Sequence, residues 1–195
     1  MDRDWAGTSN SVFFTNGCSN HSCSERQEHD FYATPSSAVE ALLGVEKFCD
    51  QIWECAVGLG HISSVLKARG HKVLETDLID RMGNETSDFL KDDRDWDGDI
   101  ITNPPYSKAL DFVRHSLGVV KTGHKVAMLL KITFLEGQER RKMFDVTPPK
   151  KVWVFSKRIT CAKNGDFSTM RGGAMCYAWF VWEKGYTGDT IVKWI

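Results

Sequence analysis

Apolar residues recur along the chain in short runs and in helical stripes, and the two patterns alternate. Short apolar runs bounded by turn residues predict buried strands, and they lie at residues 50–57, 71–78, 99–102, 125–131, 151–155 and 174–182. Apolar residues three and four positions apart predict helices, which begin at Thr34-Pro35-Ser36-Ser37 and cover 61–69, 107–120 and 137–145. Strand, turn, helix and strand in succession predict a βαβ unit, so the sheet should be parallel there.

The N-terminal segment has a different composition from the rest of the chain. It is rich in Ser, Asn, Gly and charge without an apolar period, and we expect an irregular N-terminal arm over residues 1–29. Residues 30–195 are long enough for one domain with a core. No run approaches the roughly 18 apolar residues of a membrane helix. The N-terminus has no apolar signal core, so we expect a cytoplasmic protein.

The charge balance gives no strong indication of a partner. The formal net charge is −1, which does not favour a polyanion for the chain as a whole. A local basic patch is enough for nucleic acid, however, and residues 140–142 and 150–158 are the best candidates for one. The alternative is that these cations form an ordinary solvated face.

The six cysteines predict reduced thiols rather than a disulfide framework in a cytosolic chain. Metal-ligand spacing is suggested only at Cys18, His21 and Cys23, with His29 as a distant fourth group. Structural zinc sites have tighter paired spacing and four clear ligands. We therefore expect no metal.

A glycine turn and an acidic residue indicate a cofactor site. Glu54-Cys55-Ala56-Val57-Gly58-Leu59-Gly60 ends one predicted strand, and glycines at such a junction let a ligand approach the backbone. Asp77 ends the next strand, where an acid can accept hydrogen bonds from both ribose hydroxyls. Residue 63 is Ser, so the G-x-G-x-x-G pattern of dinucleotide sites is absent. The pattern alone does not separate a nicotinamide cofactor from S-adenosylmethionine.

Asn103-Pro104-Pro105-Tyr106 is the more specific motif. Prolines lack the amide donor that helices and sheet ladders use, which leaves carbonyls available. The Asn103 side-chain carbonyl and the Pro104 carbonyl can both accept hydrogen bonds from one amino group. Tyr106 can stack on a planar base, worth roughly 1–3 kcal/mol. The four residues predict a site that holds an amino nitrogen; the simpler alternative is a stiff turn.

Together these motifs resemble a known family. Tyr32-Ala33-Thr34-Pro35, the glycine turn, Asp77, Asp88-Phe89 and Asn103-Pro104-Pro105-Tyr106 occur in the order of the gamma-type amino-group DNA methyltransferases that make N6-methyladenine. The chain is also similar to the small adenine methyltransferases of bacteriophages and prophages, over residues 126–137 and 157–167 as well. The usual Pro after the motif acid is Cys55 here, and a full-size target-recognition domain is missing.

The resemblance implies a fold and a set of roles. The fold is a single Rossmann-like α/β methyltransferase domain, with a mostly parallel sheet, antiparallel strand(s) at its C-terminal end and helices on both faces. The cofactor is S-adenosyl-L-methionine, and the partner is DNA whose adenine is flipped out, in a bacterial host cell if phage-encoded. The catalytic residues are Asn103, Pro104, Pro105 and Tyr106. The cofactor-binding residues are Tyr32, Ala33, Thr34, Glu54, Ala56, Gly58, Gly60, Asp77, Leu78, Asp88 and Phe89. The substrate-binding residues that the resemblance implies are Tyr106, Phe167, Lys131 and Arg158.

Alternatives remain open on the residues alone. An RNA base or a protein glutamine also offers a planar nitrogen to the Asn-Pro-Pro-Tyr motif. A non-catalytic DNA-binding module could retain the fold. A nicotinamide oxidoreductase is disfavoured, because the third glycine is missing and the motif would have no role. If the protein is phage-borne, its methylation would protect DNA from restriction.

Overall fold

The computed structural model describes residues 32–163 and 175–195. The strands are β1 (Tyr32–Ala33), β2 (Gln51–Glu54), β3 (Lys72–Asp77), β4 (Glu85–Thr86), β5 (Asp99–Thr102), β6 (Lys125–Lys131), β7 (Lys151–Val154), β8 (Ala162–Lys163), β9 (Tyr177–Glu183) and β10 (Ile191–Trp194). The α-helices are α1 (Ser36–Val45), α2 (His61–Ala68), α3 (Ala109–Val119) and α4 (Gln138–Phe144). Short 3₁₀ helices cover Phe89–Lys91, Tyr106–Lys108 and Ile132–Leu135.

Eight strands form one sheet in the order β10-β7-β9-β6-β5-β2-β3-β4. All neighbouring pairs are parallel except those of β9, which runs antiparallel to both β6 and β7. Strands β1 and β8 form a separate antiparallel pair, with Tyr32 opposite Lys163. The predicted α/β fold with a mostly parallel sheet and an antiparallel C-terminal strand is therefore confirmed.

Side chains that alternate along the strands build a core on each face of the sheet. On β2, Ile52 belongs to one core cluster and Trp53 to the other, and on β5 the same holds for Ile101 and Ile100. Helices α1 and α2 cover the first face, and α3 and α4 cover the second. Strand β6 is buried on both faces, which explains its uninterrupted apolar sequence.

The chain order places a cleft at one edge of the sheet. The chain runs from β2 outward to β3 and β4, and then returns to β5 on the other side of β2. The strand order therefore reverses between β2 and β5, and ligands of open parallel sheets bind at such a point, beyond the carboxyl ends of the strands. The glycine turn follows β2 and Asn103 follows β5, so both motifs lie at this edge.

The observed elements differ from the predicted ones mainly at their ends. Strand β2 ends at Glu54, because the chain leaves the sheet at Cys55 to form the glycine turn. The predicted helix over 107–120 begins as a 3₁₀ turn at Tyr106 and becomes α-helical at Ala109. Strand β10 was not predicted and lies parallel to β7 at the sheet edge. The predicted arm over residues 1–29 lies outside the described residues.

No helix within 32–163 or 175–195 is both long and apolar enough to cross a membrane.

Candidate active site

The glycine turn is shaped by two residues in the left-handed region. Gly58 has φ 57° and Gly60 has φ 72°, values that favour glycine over residues with a Cβ atom. A Cβ built on Gly60 would lie 2.5 Å from Cε of Met82, which reaches over the turn from the loop after β3. The turn is therefore a close-approach surface, and part of it is covered by a side chain that the sequence did not indicate.

Asp77 is bound to the glycine turn. Its Oδ2 accepts a hydrogen bond from the Gly58 amide at 2.8 Å. Its Oδ1 accepts from the Ile79 amide and from Nη1 of Arg81, both at 3.1 Å. The spacing of the motifs correctly brought Asp77 to the turn. Arg81 was not predicted, although its position four residues after Asp77 is the available sequence signal.

Three large apolar side chains stand exposed around the turn. Leu59 is 41% exposed, Leu78 57% and Met82 48%. Leu59 lies within the turn, and the other two belong to the segment that follows Asp77. Exposed apolar residues beside a polar anchor are typical of a surface for a planar ring. The exposed side chain of Leu78 is thus available for a ligand, and its contact with the adenine of a cofactor stays a prediction.

Glu54 carries a buried carboxyl group at the end of β2. Its Oε2 has no hydrogen-bond partner among the described residues. Burial raises the pKa of this carboxyl well above its usual range, although hydrogen bonds from Ser63 act in the opposite direction. A buried polar atom without a partner marks a place where a ligand can supply one. Ala56 and Gly58 follow Glu54 directly in the turn.

Asn103 is oriented by contacts that reach across the fold. Its Nδ2 donates to the Tyr32 carbonyl at 2.8 Å and to Oγ1 of Thr34 at 3.1 Å. The Tyr32 carbonyl can only accept, so the NH₂ group must face it and Oδ1 must face away. Oδ1 is buried, and no described residue donates a hydrogen bond to it. The Asn103 side chain therefore presents a fixed acceptor.

The two prolines extend this acceptor surface. Pro104 is buried and Pro105 is partly exposed. The Pro105 carbonyl accepts a hydrogen bond from the Lys108 amide at 2.9 Å. No backbone hydrogen bond from the described residues reaches the Pro104 carbonyl. Of the two proline carbonyls, that of Pro104 is thus the one left beside Asn103 for a ligand.

Tyr106 lies in an aromatic cluster. Its ring centroid is 5.8 Å from that of Tyr32 and 5.9 Å from that of Tyr177. Nζ of Lys131 lies over the Tyr106 ring, 4.9 Å from its centroid. Burial raises the pKa of the Tyr106 hydroxyl well above its usual range, so this group stays neutral. Tyr177 was not predicted, because it lies far from Tyr106 in the sequence and no local pattern links them.

The N-terminal motif forms the wall between the two halves of the site. Ala33 and Thr34 are each 2% exposed, and Tyr32–Ala33 pairs with Ala162–Lys163. This pairing brings the segment after β7, which contains the exposed Arg158, toward the Asn103 side of the cleft. Phe167, predicted at the target base, lies outside the described residues.

Asp88 is partly exposed, whereas the neighbouring Phe89 is buried in the core. Oδ1 of Asp88 accepts a hydrogen bond from the Leu90 amide, and Oδ2 forms an ion pair with Nζ of Lys91 at 2.8 Å. Phe89 is 2% exposed, and its ring contacts those of Trp53 and Phe112 at 5.0 Å each. Phe89 is thus a core residue, and its implied place beside a cofactor stays a prediction.

Two buried cysteines near the cleft are poor nucleophiles. Cys55 begins the glycine turn, and Cys161 packs in the cluster that contains Tyr177. Burial raises the pKa of the Cys55 thiol well above its usual range and that of Cys161 to about 12. The thiolate is the reactive form of cysteine. Neither residue therefore offers a nucleophile at neutral pH.

Acidic side chains lie beside the two basic segments. Arg141 pairs with Asp145, Lys142 with Glu139, Lys150 with Glu183 and Lys151 with Glu46. These four cations are therefore paired, and a basic surface over residues 140–142 and 150–158 stays a prediction. Positive charge also lies at the cleft, on the exposed Lys108 and on Lys131 over the Tyr106 ring.

Solved structures share this fold. A type I restriction-modification methyltransferase subunit from Streptococcus thermophilus matches with a TM-score of 0.60 at 15% identity, over 86% of this chain and 48% of that one. A modification subunit of a putative type I restriction enzyme from Vibrio vulnificus matches with a TM-score of 0.60 at 9% identity, over 95% and 50%. A putative RNA methyltransferase from Pyrococcus horikoshii matches with a TM-score of 0.52 at 14% identity, over 78% and 86%.

The chain has a methyltransferase fold. It spans about half the length of the two restriction-modification subunits. No protein-family profile matches the sequence, and no curated protein sequence matches it. The fold thus agrees with the one implied by the sequence motifs, whereas sequence identities this low leave the substrate to be argued from the site.

Proposed function

We propose that this protein transfers a methyl group from S-adenosyl-L-methionine to the exocyclic N6 amino group of adenine in DNA. The observation that carries the proposal is the Asn103 side chain. Its NH₂ group is held by Tyr32 and Thr34, and its buried Oδ1 has no donor among the described residues. An amino group that enters the cleft supplies the donors that this acceptor lacks.

The residues around the glycine turn fit S-adenosylmethionine. Asp77 suits the ribose hydroxyls, with Gly58 holding the carboxylate in place at 2.8 Å. The exposed side chain of Leu78 suits the adenine ring. Oε2 of Glu54 is buried next to the turn and has no partner among the described residues, so the amino group of the methionine part of the cofactor could donate a hydrogen bond to it. When bound, the cofactor supplies an electrophilic methyl group on a sulfonium.

Asn103 and Pro104 provide what the acceptor nitrogen needs. Two carbonyl oxygens that accept its N–H bonds hold the nitrogen and direct its lone pair away from them. Positioning of this kind lowers the barrier because it removes the entropy cost of alignment. Tyr106 and Lys131 border the place where the ring of the acceptor would lie. The N–C bond would form as the sulfonium S–C bond breaks to leave a neutral thioether, and the resulting ammonium-like nitrogen would give its proton to water, so no described residue is required as the base.

The site also favours an amino nitrogen over a ring carbon. Methylation at carbon 5 of a pyrimidine requires a nucleophile that adds to the ring. Cys55 and Cys161 are protonated at neutral pH because both are buried. In-line transfer to an amino nitrogen requires no enzyme nucleophile. The chemistry of the cleft therefore supports N-methylation.

Two observations support DNA as the partner: the cations near Tyr106 and the fold shared with restriction-modification subunits. Nζ of Lys131 lies over the Tyr106 ring and the exposed Lys108 ends the short helix that begins at Tyr106, and a flipped base would bring phosphates to that side, where Arg158 stays a predicted contact. Two solved structures with this fold are subunits of restriction-modification enzymes. We accordingly place the protein in DNA modification within the cytoplasm. Phe167 stays a prediction as a further contact to the base.

Radiolabelled cofactor tests the proposal with three acceptors. Purified protein is incubated with unmethylated bacterial DNA, with total RNA and with protein extract. We expect label in DNA, recovered as N6-methyladenine after nuclease digestion. Label in RNA or in protein glutamine instead would contradict the DNA assignment, and 5-methylcytosine would contradict the amino-group chemistry.

A further inference from the structure

Three side chains of different ligand chemistry meet at the amino edge of the sheet, opposite the cleft. Cys49 precedes β2, Asp99 begins β5 and His124 precedes β6. A sulfur, a carboxylate oxygen and a ring nitrogen from these residues all lie within 4.8 Å of one another. The strands are adjacent in the sheet, so its backbone fixes the spacing of the three groups.

The surroundings of His124 favour a cation. Nδ1 lies 3.1 Å from Oδ1 of Asp99, and Nε2 lies 3.1 Å from Oδ1 of Asp97. An imidazolium would donate to both carboxylates, whereas a neutral imidazole carries one N–H and would direct the lone pair of its other nitrogen at a carboxylate. A metal ion bound by Nδ1 and Asp99 removes that conflict. Asp97 then accepts from Nε2–H, the usual outer partner of a metal-bound histidine.

Cys49 and Asp99 retain capacity for a metal ion. Sγ of Cys49 accepts a hydrogen bond from the Asp99 amide at 3.2 Å, and the thiol donates to the Gln51 carbonyl at 2.9 Å, so a metal ion would take the place of this thiol proton. The Asp99 carboxylate accepts from the amides of Cys49 and Lys125, at 2.7 Å each. These two bonds use two of about four lone-pair positions, and the contact with Nδ1 of His124 would give way to the ion when that nitrogen binds it. Asp99 is 3% exposed, so the ligand is oriented without large motion.

We propose that Cys49, Asp99 and His124 bind a thiophilic divalent cation, which the donor set identifies as zinc(II). Sulfur, nitrogen and oxygen donors are the ligands of zinc, and tetrahedral coordination brings donor atoms to about 3.5 Å apart. The three ligand atoms lie within 4.8 Å of one another, so adjustments of about 1 Å bring them to that spacing. Thiolate and carboxylate balance the charge of the ion, and water fills the fourth position. Sequence spacing gave no signal because the ligands come from three separate segments of the chain.

The site holds the strands together and takes no part in the transfer chemistry. It lies before β5, whereas Asn103 follows the same strand at the other edge of the sheet. Cys49 and His124 are partly exposed, so the ion has an entry path. The proposal is therefore independent of the proposed methyl transfer. Binding should raise the melting temperature of the protein and leave the cofactor affinity unchanged.

Cobalt(II) is the probe that reports the ligands directly. The full chain with Cys18→Ser and Cys23→Ser, which removes the thiols of the N-terminal segment, is stripped with chelator and titrated with Co²⁺ under a non-thiol reductant. We expect one equivalent of tetrahedral cobalt with a thiolate charge-transfer band. Zinc should displace it and raise the melting temperature.

Substitutions of the proposed ligands test whether the cobalt ion binds at this site or elsewhere in the protein. Cys49→Ser should abolish the charge-transfer band, and His124→Ala should weaken cobalt binding at least about 10-fold. Cys176→Ser, at an exposed free cysteine, should change neither. Thermal melting in the presence of chelator shows whether each variant is folded. If Cys49→Ser does not fold, the cobalt affinity of His124→Ala tests the proposal. Absence of the band in the starting protein, or its persistence in folded Cys49→Ser, would overturn the proposal.

Discussion

Asp99 and Asn103 stand at the two ends of strand β5, and the protein uses their polar atoms in opposite ways. Both oxygens of Asp99 accept hydrogen bonds from its own neighbours, including the amides of Cys49 and Lys125. Oδ1 of Asn103 is equally buried and accepts none from the described residues. The carboxylate at the amino end of the strand is thus held by amides of the fold and has room only for the proposed cation, whereas the acceptor at the carboxyl end has no donor among the described residues.

We expect substitution of Asn103 to be detected in an activity assay and substitution of Asp99 in a stability assay. Loss of Asn103 should remove activity and spare the fold, because its acceptor serves the substrate. Loss of Asp99 should weaken the fold and spare the activity of the molecules that remain folded. The five predictions below test this division, in order of expected effect.

Asn103→Ala should lower the rate of methyl transfer by about 10²-fold or more, the size seen when one preorganised group at a reacting centre is removed. Cofactor affinity, measured by calorimetry, should stay within a few-fold. Gln51→Ala, an exposed amide at the amino end of β2, serves as the matched control and should be fully active. An Asn103→Ala protein with wild-type turnover would remove Asn103 from the centre of the site.

Asp99→Ala should lower the free energy of unfolding by about 2–6 kcal/mol, since the amides of Cys49 and Lys125 each lose a buried acceptor. Urea denaturation in the presence of chelator measures this value. Asp97→Ala removes an exposed acid at the same edge and should change stability little. Equal stability of Asp99→Ala and wild type would show that the amino edge is not held as described.

Asp77→Ala should weaken S-adenosylmethionine binding about 10-fold or more, the value of a hydrogen bond to a charged group. Calorimetry measures the binding, and thermal melting shows whether the loss of the contacts to Gly58 and Arg81 has disturbed the fold. Asp145→Ala, an exposed acid at the end of α4, is the control. Unchanged affinity in a folded Asp77→Ala protein would exclude Asp77 from the cofactor site.

Glu54→Gln should stabilise the cofactor-free protein at neutral pH. Burial raises the pKa of Glu54, so above the unfolded value near 4.3 the folded state keeps a proton that the unfolded state has lost. Stability therefore falls as pH rises toward the folded pKa, by up to about 1.4 kcal/mol per pH unit. Denaturation between pH 5 and about 8 should show the wild type losing stability relative to Glu54→Gln.

Glu75, on the neighbouring strand, provides the control of opposite sign. Burial alone would raise the pKa of Glu75, but hydrogen bonds from Lys67 and Ser63 lower it. Its contribution to stability is therefore present above the unfolded value near 4.3 and is lost as pH falls. Glu75→Gln should not reproduce the gain expected for Glu54→Gln. A parallel response of the two variants would contradict the burial argument.

Tyr106→Phe should have the smallest effect. The Tyr106 hydroxyl is buried near Tyr177 and Cys161 but makes no hydrogen bond of full geometry to a described residue, so its removal should change the free energy of unfolding by about 1 kcal/mol or less. Turnover should stay within a few-fold, whereas Tyr106→Ala also removes the ring and should weaken acceptor binding. Loss of activity in Tyr106→Phe would show that the hydroxyl has a role in the site.

The parts of the molecule that the sequence predicted are those set by local pattern. Strand β6 matches its predicted bounds, 125–131, because burial on both faces requires an unbroken apolar run. Asp77 was placed at the glycine turn because both follow neighbouring strands of one βαβ unit. Local pattern thus predicted that the glycine turn and Asp77 meet, whereas their role toward a cofactor stays a prediction.

The remaining features depend on contacts between distant residues. Tyr177 reaches Tyr106 through a strand inserted between β6 and β7, and no local pattern encodes that insertion. Strand β10 pairs only with β7, and its side chains are exposed, so burial imposes no pattern on it. The orientation of Asn103 likewise depends on Tyr32, which is distant in the sequence.

The central claim is that the oriented Asn103 carbonyl directs methylation to adenine N6 in DNA. It is tested most directly by mass spectrometry of nucleosides from bacteria that lack their own adenine methylation and express the wild type, Asn103→Ala or Gln51→Ala. The account predicts N6-methyladenine in DNA with the wild type and Gln51→Ala, and none above background with Asn103→Ala. Equal N6-methyladenine with Asn103→Ala, or none with folded wild-type protein, would contradict it.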